Sequence, residues 1–197
     1  MSLISGTITD KKGTPMEGVY VSLKDSEFED MFSTFTNENG EYFLEAADGY
    51  YPYMYAVREY AENYLEFWCQ NINLSENTVI NASIDKLEIY GLHCFEIKGG
   101  YPALTIYFRP MSLVKQKAGQ SNICPDITSD SIKISINGNQ SKILHLNKVE
   151  EYVGNSCIYA YLLQATLPDK LLPTDKNLLD VQILDLDCFF GQASLFF

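Results

Sequence analysis

The chain has 197 residues, 46% of them hydrophobic and 13% aromatic, so it can bury a sizeable core and does not have the composition of a disordered polymer. A formal charge of -12, from 14 basic against 26 acidic residues, repels phosphate backbones and anionic lipid, which argues against nucleic acid or a membrane surface as partner. No apolar run approaches the roughly 18 residues of a spanning helix, so no membrane insertion is expected.

Taken in chain order, Ile4, Gly6 and Ile8 alternate with Ser5, Thr7 and Thr9, the period-2 signature of a half-buried strand. Gly13 and Pro15 supply a turn, and Val19, Val21 and Leu23 form the inward face of a second strand. Asn39 and Gly40 can take the positive φ values of a tight hairpin, which returns through a strand with Tyr42 and Leu44 on one face and Phe43 and Glu45 on the other. After Asp48 and Gly49 comes a tyrosine-rich strand over residues 50–57. In the next strand Leu65, Phe67 and Cys69 share the core face, opposite Tyr64, Glu66, Trp68 and Gln70. A polar turn over residues 71–77 leads to Ile80, Ala82 and Ile84, which complete the core set.

These strands and turns resemble the carboxypeptidase regulatory-like domain, a small transthyretin-like β-sandwich. The resemblance is carried by Ile4-Ser5-Gly6-Thr7-Ile8-Thr9-Asp10, by the hairpin Thr36-Asn37-Glu38-Asn39-Gly40-Glu41-Tyr42-Phe43, by Asp48-Gly49-Tyr50-Tyr51 and by the Asn-Leu-Ser-Glu-Asn turn at residues 73–77. Asn37 stands where Asp is usual, and the customary Gly-Tyr pair appears as Glu59-Tyr60. The resemblance implies an accessory domain without chemistry of its own, with Tyr51, Tyr53, Tyr55 and Val57 pointing inward. Related collagen-adhesin repeats form a lysine–asparagine isopeptide bond. Glu45 matches their acidic catalyst, but the strand from Ile4 lacks their lysine, so no such bond is expected.

Beyond residue 87 the β rhythm continues without a recognisable family. Residues 87–98 read as a strand, Gly99 and Gly100 as a turn, and residues 104–108 as a strand ended by Pro110. Residues 111–128 read as a polar loop. Ile132, Ile134 and Ile136 alternate with Lys133 and Ser135, and Asn137-Gly138 turns that strand back into residues 143–146. Residues 158–167, 178–186 and 193–197 supply the remaining strands, with residues 168–177 as a loop. The expected fold is all-β: a transthyretin-like β-sandwich over residues 1–87 followed by an immunoglobulin-like β-sandwich over residues 88–197. With no Pro- or Ser-rich linker between them, the two should pack end to end in a fixed pose.

The five cysteines, Cys69, Cys94, Cys124, Cys157 and Cys188, are odd in number and dispersed, without a C-x-x-C pair. They read as free, mostly buried thiols, and neither a disulfide nor a zinc site is expected. Unpaired cysteines and the lack of a signal peptide predict a cytoplasmic protein. Regulatory-like domains often sit in exported proteins, which a removed leader would accommodate. Iron dioxygenases of transthyretin-like fold need paired His and Tyr ligands, whereas His93 and His145 are far apart, so no metal or other cofactor is expected. His93 and Cys94 are strand neighbours and point to opposite faces, which separates a base from a nucleophile. Asp180, Asp185 and Asp187 offer oxygen ligands for Ca²⁺ but read as a solvated strand face. No hydrolase or phosphate-loop motif is present.

The expected function is a non-catalytic binding or assembly module that recognises a protein or glycan partner. An enzyme with its site between the domains, or a structural spacer, are the alternatives. The candidate ligand-binding residues are Tyr64, Glu66, Trp68 and Gln70, an aromatic pair flanked by side chains that can hydrogen-bond a hydroxyl. The competing reading packs Trp68 beneath the second sandwich.

Overall fold

A computed structural model describes residues 1–154 and 156–197. The fold is all-β. Strands β1 (Ser2–Asp10), β2 (Tyr20–Lys24), β3 (Asp30–Phe35), β4 (Glu41–Ala46), β5 (Gly49–Val57), β6 (Phe67–Leu74), β7 (Thr78–Val79) and β8 (Ala82–Ile84) build the first sandwich. Strands β9 (Leu87–Glu96), β10 (Ala103–Ser112), β11 (Ile132–Ile136), β12 (Asn139–Ser141), β13 (Ile143–Val153), β14 (Ser156–Thr166), β15 (Leu178–Leu184) and β16 (Phe190–Phe196) build the second. One short helix, α1 (Leu113–Lys117), interrupts the stretch read as loop; Ser112 caps it by accepting from the Lys115 amide.

The first core forms as the alternation requires. Ile4, Ile8, Val19, Val21, Leu23, Tyr42, Leu44, Phe67, Cys69, Ile80, Ala82 and Ile84 are all buried, as is Leu65. The Tyr42 hydroxyl is satisfied inside this core by donating to the Ile80 carbonyl at 2.7 Å. Gly6 lies where that same carbonyl crosses β1, and a Cβ there would come within 2.0 Å of the Ile80 oxygen. The second core gathers Leu87, Ile89, Leu104, Ile106, Phe108, Ile132, Ile134, Ile136, Leu163, Leu179, Val181 and Leu195 between its two sheets.

Three features depart from the expected pattern. First, the face of β5 changes phase. Tyr51 is buried, but the next buried residues are Met54 and Ala56, so Tyr53, Tyr55 and Val57 lie on the opposite face and are only half-buried. The paired strand β6 shifts in the same place, from Phe67 and Cys69 to Ile72 and Leu74, through Asn71 at φ 59° opposite Pro52. Second, Pro110 does not end its strand: it pairs with Ile89 of β9, while the β14 side of β10 is paired only as far as Phe108. A strand edge that no longer needs the missing N–H tolerates proline. Third, Asn137 (φ 53°) and Gly138 (φ 77°) turn β11 back into the short β12, and residues 143–146 begin β13 in the facing sheet.

The sandwiches do not simply abut. β16 pairs in parallel with β6, Ala193 opposite Trp68 and Leu195 opposite Gln70. That pairing fuses one sheet from each sandwich into a single eight-stranded sheet, ordered β12-β11-β15-β16-β6-β5-β2-β3. Two four-stranded sheets cover its ends: β1 with β4, β7 and β8 on one, and β13-β14-β10-β9 on the other. The seam is further tied by Gln192, whose Oε1 accepts from the Ser83 amide, and by Asn71, whose Nδ2 donates to the Phe196 carbonyl. Asp85 receives the Phe190 amide and pairs with Lys11 at 3.2 Å.

Candidate functional site

The four residues singled out by strand alternation do not converge. Tyr64 precedes β6 and packs against the first core, and Glu66 is half-buried. Trp68 and Gln70 both sit at the seam. The Trp68 indole donates Nε1–H to Glu88 Oε1 at 3.2 Å, and Gln70 Nε2 donates to the Leu92 carbonyl at 2.7 Å. Trp68 is packed at the interdomain seam and also borders an open cleft.

Tyr53 and Tyr55, which the family resemblance placed in the core, surround it together with Phe28. Tyr55 stacks on Trp68 with ring centroids 5.5 Å apart and planes 24° apart. Phe28 stacks on Tyr53 at 4.6 Å, and both meet the indole edge-on at 6.3 and 6.2 Å. Phe28 sits in the β2–β3 turn at φ 64°, held by its N–H donating to the Asp25 carbonyl, and its ring is exposed to solvent. Offset and edge-to-face geometries of this kind stabilise the cluster beyond area burial.

The cleft has a volume of about 190 Å³ and is walled by both sandwiches. Phe28, Tyr53, Trp68 and Gln70 come from the first, and Tyr90, Gly91, His93, Arg109 and Ala193 from the second. Arg109 is held by a bulge: the β9–β10 register shifts between Tyr107 and Arg109, and Gly91 opposite takes φ 61°. A Cβ at Gly91 would stand 3.3 Å from Arg109 Nη2, so glycine leaves the space that the guanidinium fills. The guanidinium lies 4.9 Å from the Tyr90 ring centroid, a cation–π arrangement. A second, largely apolar cavity of about 270 Å³ also reaches Arg109, between Tyr90, Met111, Ile123, Cys157 and Tyr159.

Behind the indole the electrostatics are acidic. Glu88 is buried, and one of its oxygens, Oε2, has no hydrogen-bond partner. Burial, reinforced by the nearby Glu66 carboxylate, pushes the Glu88 carboxyl up to about 7. Burial also raises the Glu66 carboxyl, against the opposing pull of Lys24.

The other sequence candidates remain separate. His93 is exposed in the cleft and stacks near Tyr107, while His145 is exposed on β13. No group of three or more metal-ligating side chains occurs among the described residues. Asp185 and Asp187 are not on a strand face, because β15 ends at Leu184; Asp185 Oδ1 instead accepts the Asp187 and Phe189 amides and shapes the turn into β16. Asp180 is held by Gln182, Gln192 and Ser194, and burial raises its carboxyl. The thiols are less hidden than expected: Cys69 and Cys124 are buried, Cys94 is half-buried, and Cys157 and Cys188 are exposed.

Alternation could not reveal Phe28, Tyr53, Tyr90 and Arg109 as neighbours, since they come from four separate segments. One local signal was present, the isolated Gly91 in a strand pattern, which marks a bulge or a close approach.

No curated protein matches this sequence. Among solved structures, the chain is similar to a DUF3823 family protein from Bacteroides ovatus, at 12% identity and a TM-score of 0.32, covering 100% of this chain and 99% of that one. It is also similar to a DUF3823 family protein from Parabacteroides merdae, at 14% identity and a TM-score of 0.31, with 98% of each chain covered. The major pilin subunit BcpA of Bacillus cereus matches at 10% identity and a TM-score of 0.33, covering 98% of this chain and 67% of the pilin. The clearest assignment is at the N-terminal end, where residues 3–85 match the family model of the carboxypeptidase regulatory-like domain.

Proposed function

We propose that this protein is a non-catalytic binding module that takes its ligand in the cleft where the two sandwiches are joined. The observation that carries this reading is the pair of stacked aromatic couples, Phe28–Tyr53 and Tyr55–Trp68, bordering a cleft whose opposite wall belongs to the second sandwich. Aromatic faces held on strands offer large contact area at little entropic cost, which suits recognition. Of the four residues on the outer face of that strand, Trp68 and Gln70 line the cleft, Glu66 lies near Trp68 and Glu88, and Tyr64 packs against the first core. The match to a regulatory-like domain supports an accessory role.

An enzyme with its site between the domains would need an acid–base pair there. His93 lines the cleft, but the other polar side chains lining it are Arg109, Gln70, the Trp68 indole and the Tyr53 and Tyr90 phenols, and the Glu66–Glu88 carboxylates lie by the indole nitrogen and are not among the lining residues. The net charge of -12 supports leaving nucleic acid aside. No helix among the described residues is long and apolar enough to cross a membrane.

The test is a double substitution, Phe28→Ala with Tyr53→Ala, in the full chain. Phe28 is exposed and Tyr53 half-buried, so the fold should survive, while retention on a glycan array and in pull-downs should drop to background. Ligands retained equally by the double variant would place the binding surface elsewhere.

A further inference from the structure

The cleft contains one cation whose donors are uncommitted, and this narrows the chemistry of the ligand. Arg109 is one of two arginines in the chain. Its Nε is buried without a hydrogen-bond partner, and its guanidinium donates no hydrogen bond to a described residue. Leaving a guanidinium donor dry and unpaired is costly, and the fold does so with a dedicated bulge, a positive-φ glycine and a stacked tyrosine. A guanidinium fork with free N–H groups matches the planar, two-oxygen geometry of a carboxylate.

From this we infer that the cleft binds an acidic saccharide, a sugar ring bearing a carboxylate that Arg109 receives. The inference rests on the binding role proposed above and names the ligand class. The rest of the lining fits a polyhydroxylated ring. Tyr53, Tyr90 and His93 make no side-chain hydrogen bond to the described residues, so three polar tips surround the aromatic faces and remain free for hydroxyls. An extended peptide fits less well. β9 is an edge strand at this point, but its Leu92 carbonyl already accepts from Gln70, which blocks strand addition along that edge.

The experiment uses the full chain and an array of oligosaccharides containing uronic or sialic acids, each printed beside its methyl-esterified counterpart, with affinities of retained members measured by calorimetry. Wild-type protein should retain acidic members and lose them on esterification. Arg109→Gln should weaken them roughly 10- to 100-fold, as expected for a charge-assisted fork, with circular dichroism unchanged. Should R109Q fail to fold, the esterified pairs on wild-type protein still decide the matter. Equal binding of acids and esters overturns the carboxylate and leaves the binding cleft standing. Failure to retain any acidic saccharide overturns the inference, and if the Phe28→Ala, Tyr53→Ala variant also captures every partner that wild type does, the binding role of the cleft falls with it.

Discussion

At the scale of single residues, Glu88 is the side chain whose state should be most visible in solution. It is buried, Trp68 donates to one of its oxygens, and its other oxygen is unpartnered. Its carboxyl, raised from an ordinary 4.5 to about 7, binds its proton more tightly in the folded than in the unfolded chain. Its contribution to stability is therefore fully present below about 4.5 and is lost as pH rises through about 7. Glu88→Gln should remove this dependence, so that the variant gains on wild type by up to about 3 kcal/mol between pH 4 and pH 8. Urea melts at several pH values measure it, and a constant difference across that range would disprove the assignment. The emission of Trp68, the single tryptophan, should titrate near the same pH in wild type and not in E88Q. Phe67→Ala tests the core instead. Its ring is fully buried, and its removal should cost about 3–5 kcal/mol in the same melts.

At the scale of elements, the central fact is the change of phase in β5 and β6. Asn71 takes φ 59°, receives the Tyr50 hydroxyl at 2.9 Å and donates to the Phe196 carbonyl. Asn71→Ala should cost about 1–3 kcal/mol, combining left-handed strain with the two lost bonds, and a melt unchanged within error would show that the kink does not depend on it. Gly191 marks where β16 crosses β9, and a Cβ there would lie 2.8 Å from Leu87 Cβ. Gly191→Val should therefore destabilise by more than about 2 kcal/mol and redden the emission of Trp68 as the seam opens; a blue, native-like spectrum would argue against it. This scale also shows what was legible in the sequence. Uninterrupted alternation, as in Val19, Val21 and Leu23 or in Ile132, Ile134 and Ile136, reports a face directly. It fails where one residue shifts the phase, because every later side chain then changes sides. Pro52 opposite Asn71 does this, and it moved Tyr53 from expected core to cleft wall and Tyr55 to the outer face against Trp68. Trp68 and Gln70 could be placed on the outer face of their strand. That Arg109 would face them depends on which strand lies beside β6, a tertiary choice that no local pattern encodes.

At the scale of the whole molecule, the join between the sandwiches sets the cooperativity. We propose that residues 1–87 and 88–197 are the two structural units, the junction falling at the start of β9. Because β16 pairs with both β15 and β6, neither unit is complete alone. The full chain should unfold in one transition by fluorescence and circular dichroism. A fragment of residues 1–87 should be markedly less stable and should self-associate through the bare edge of β6; a monomeric fragment as stable as the intact chain would overturn the coupling.

That shared strand also fixes a timetable. Asn71 and its partner Phe196 are 125 positions apart, so the first sandwich must wait for β16 to be synthesised before its sheet is closed. During that interval the nascent chain carries two open strand edges, β6 and β15, with Trp68 beside one of them, the state in which sheets pair wrongly with neighbours. Closure is then a long-range, slow event rather than a local one. For the cleft the result is a form of quality control: Ala193 of β16 is one of its walls, so a chain stalled or clipped before that strand lacks part of the site.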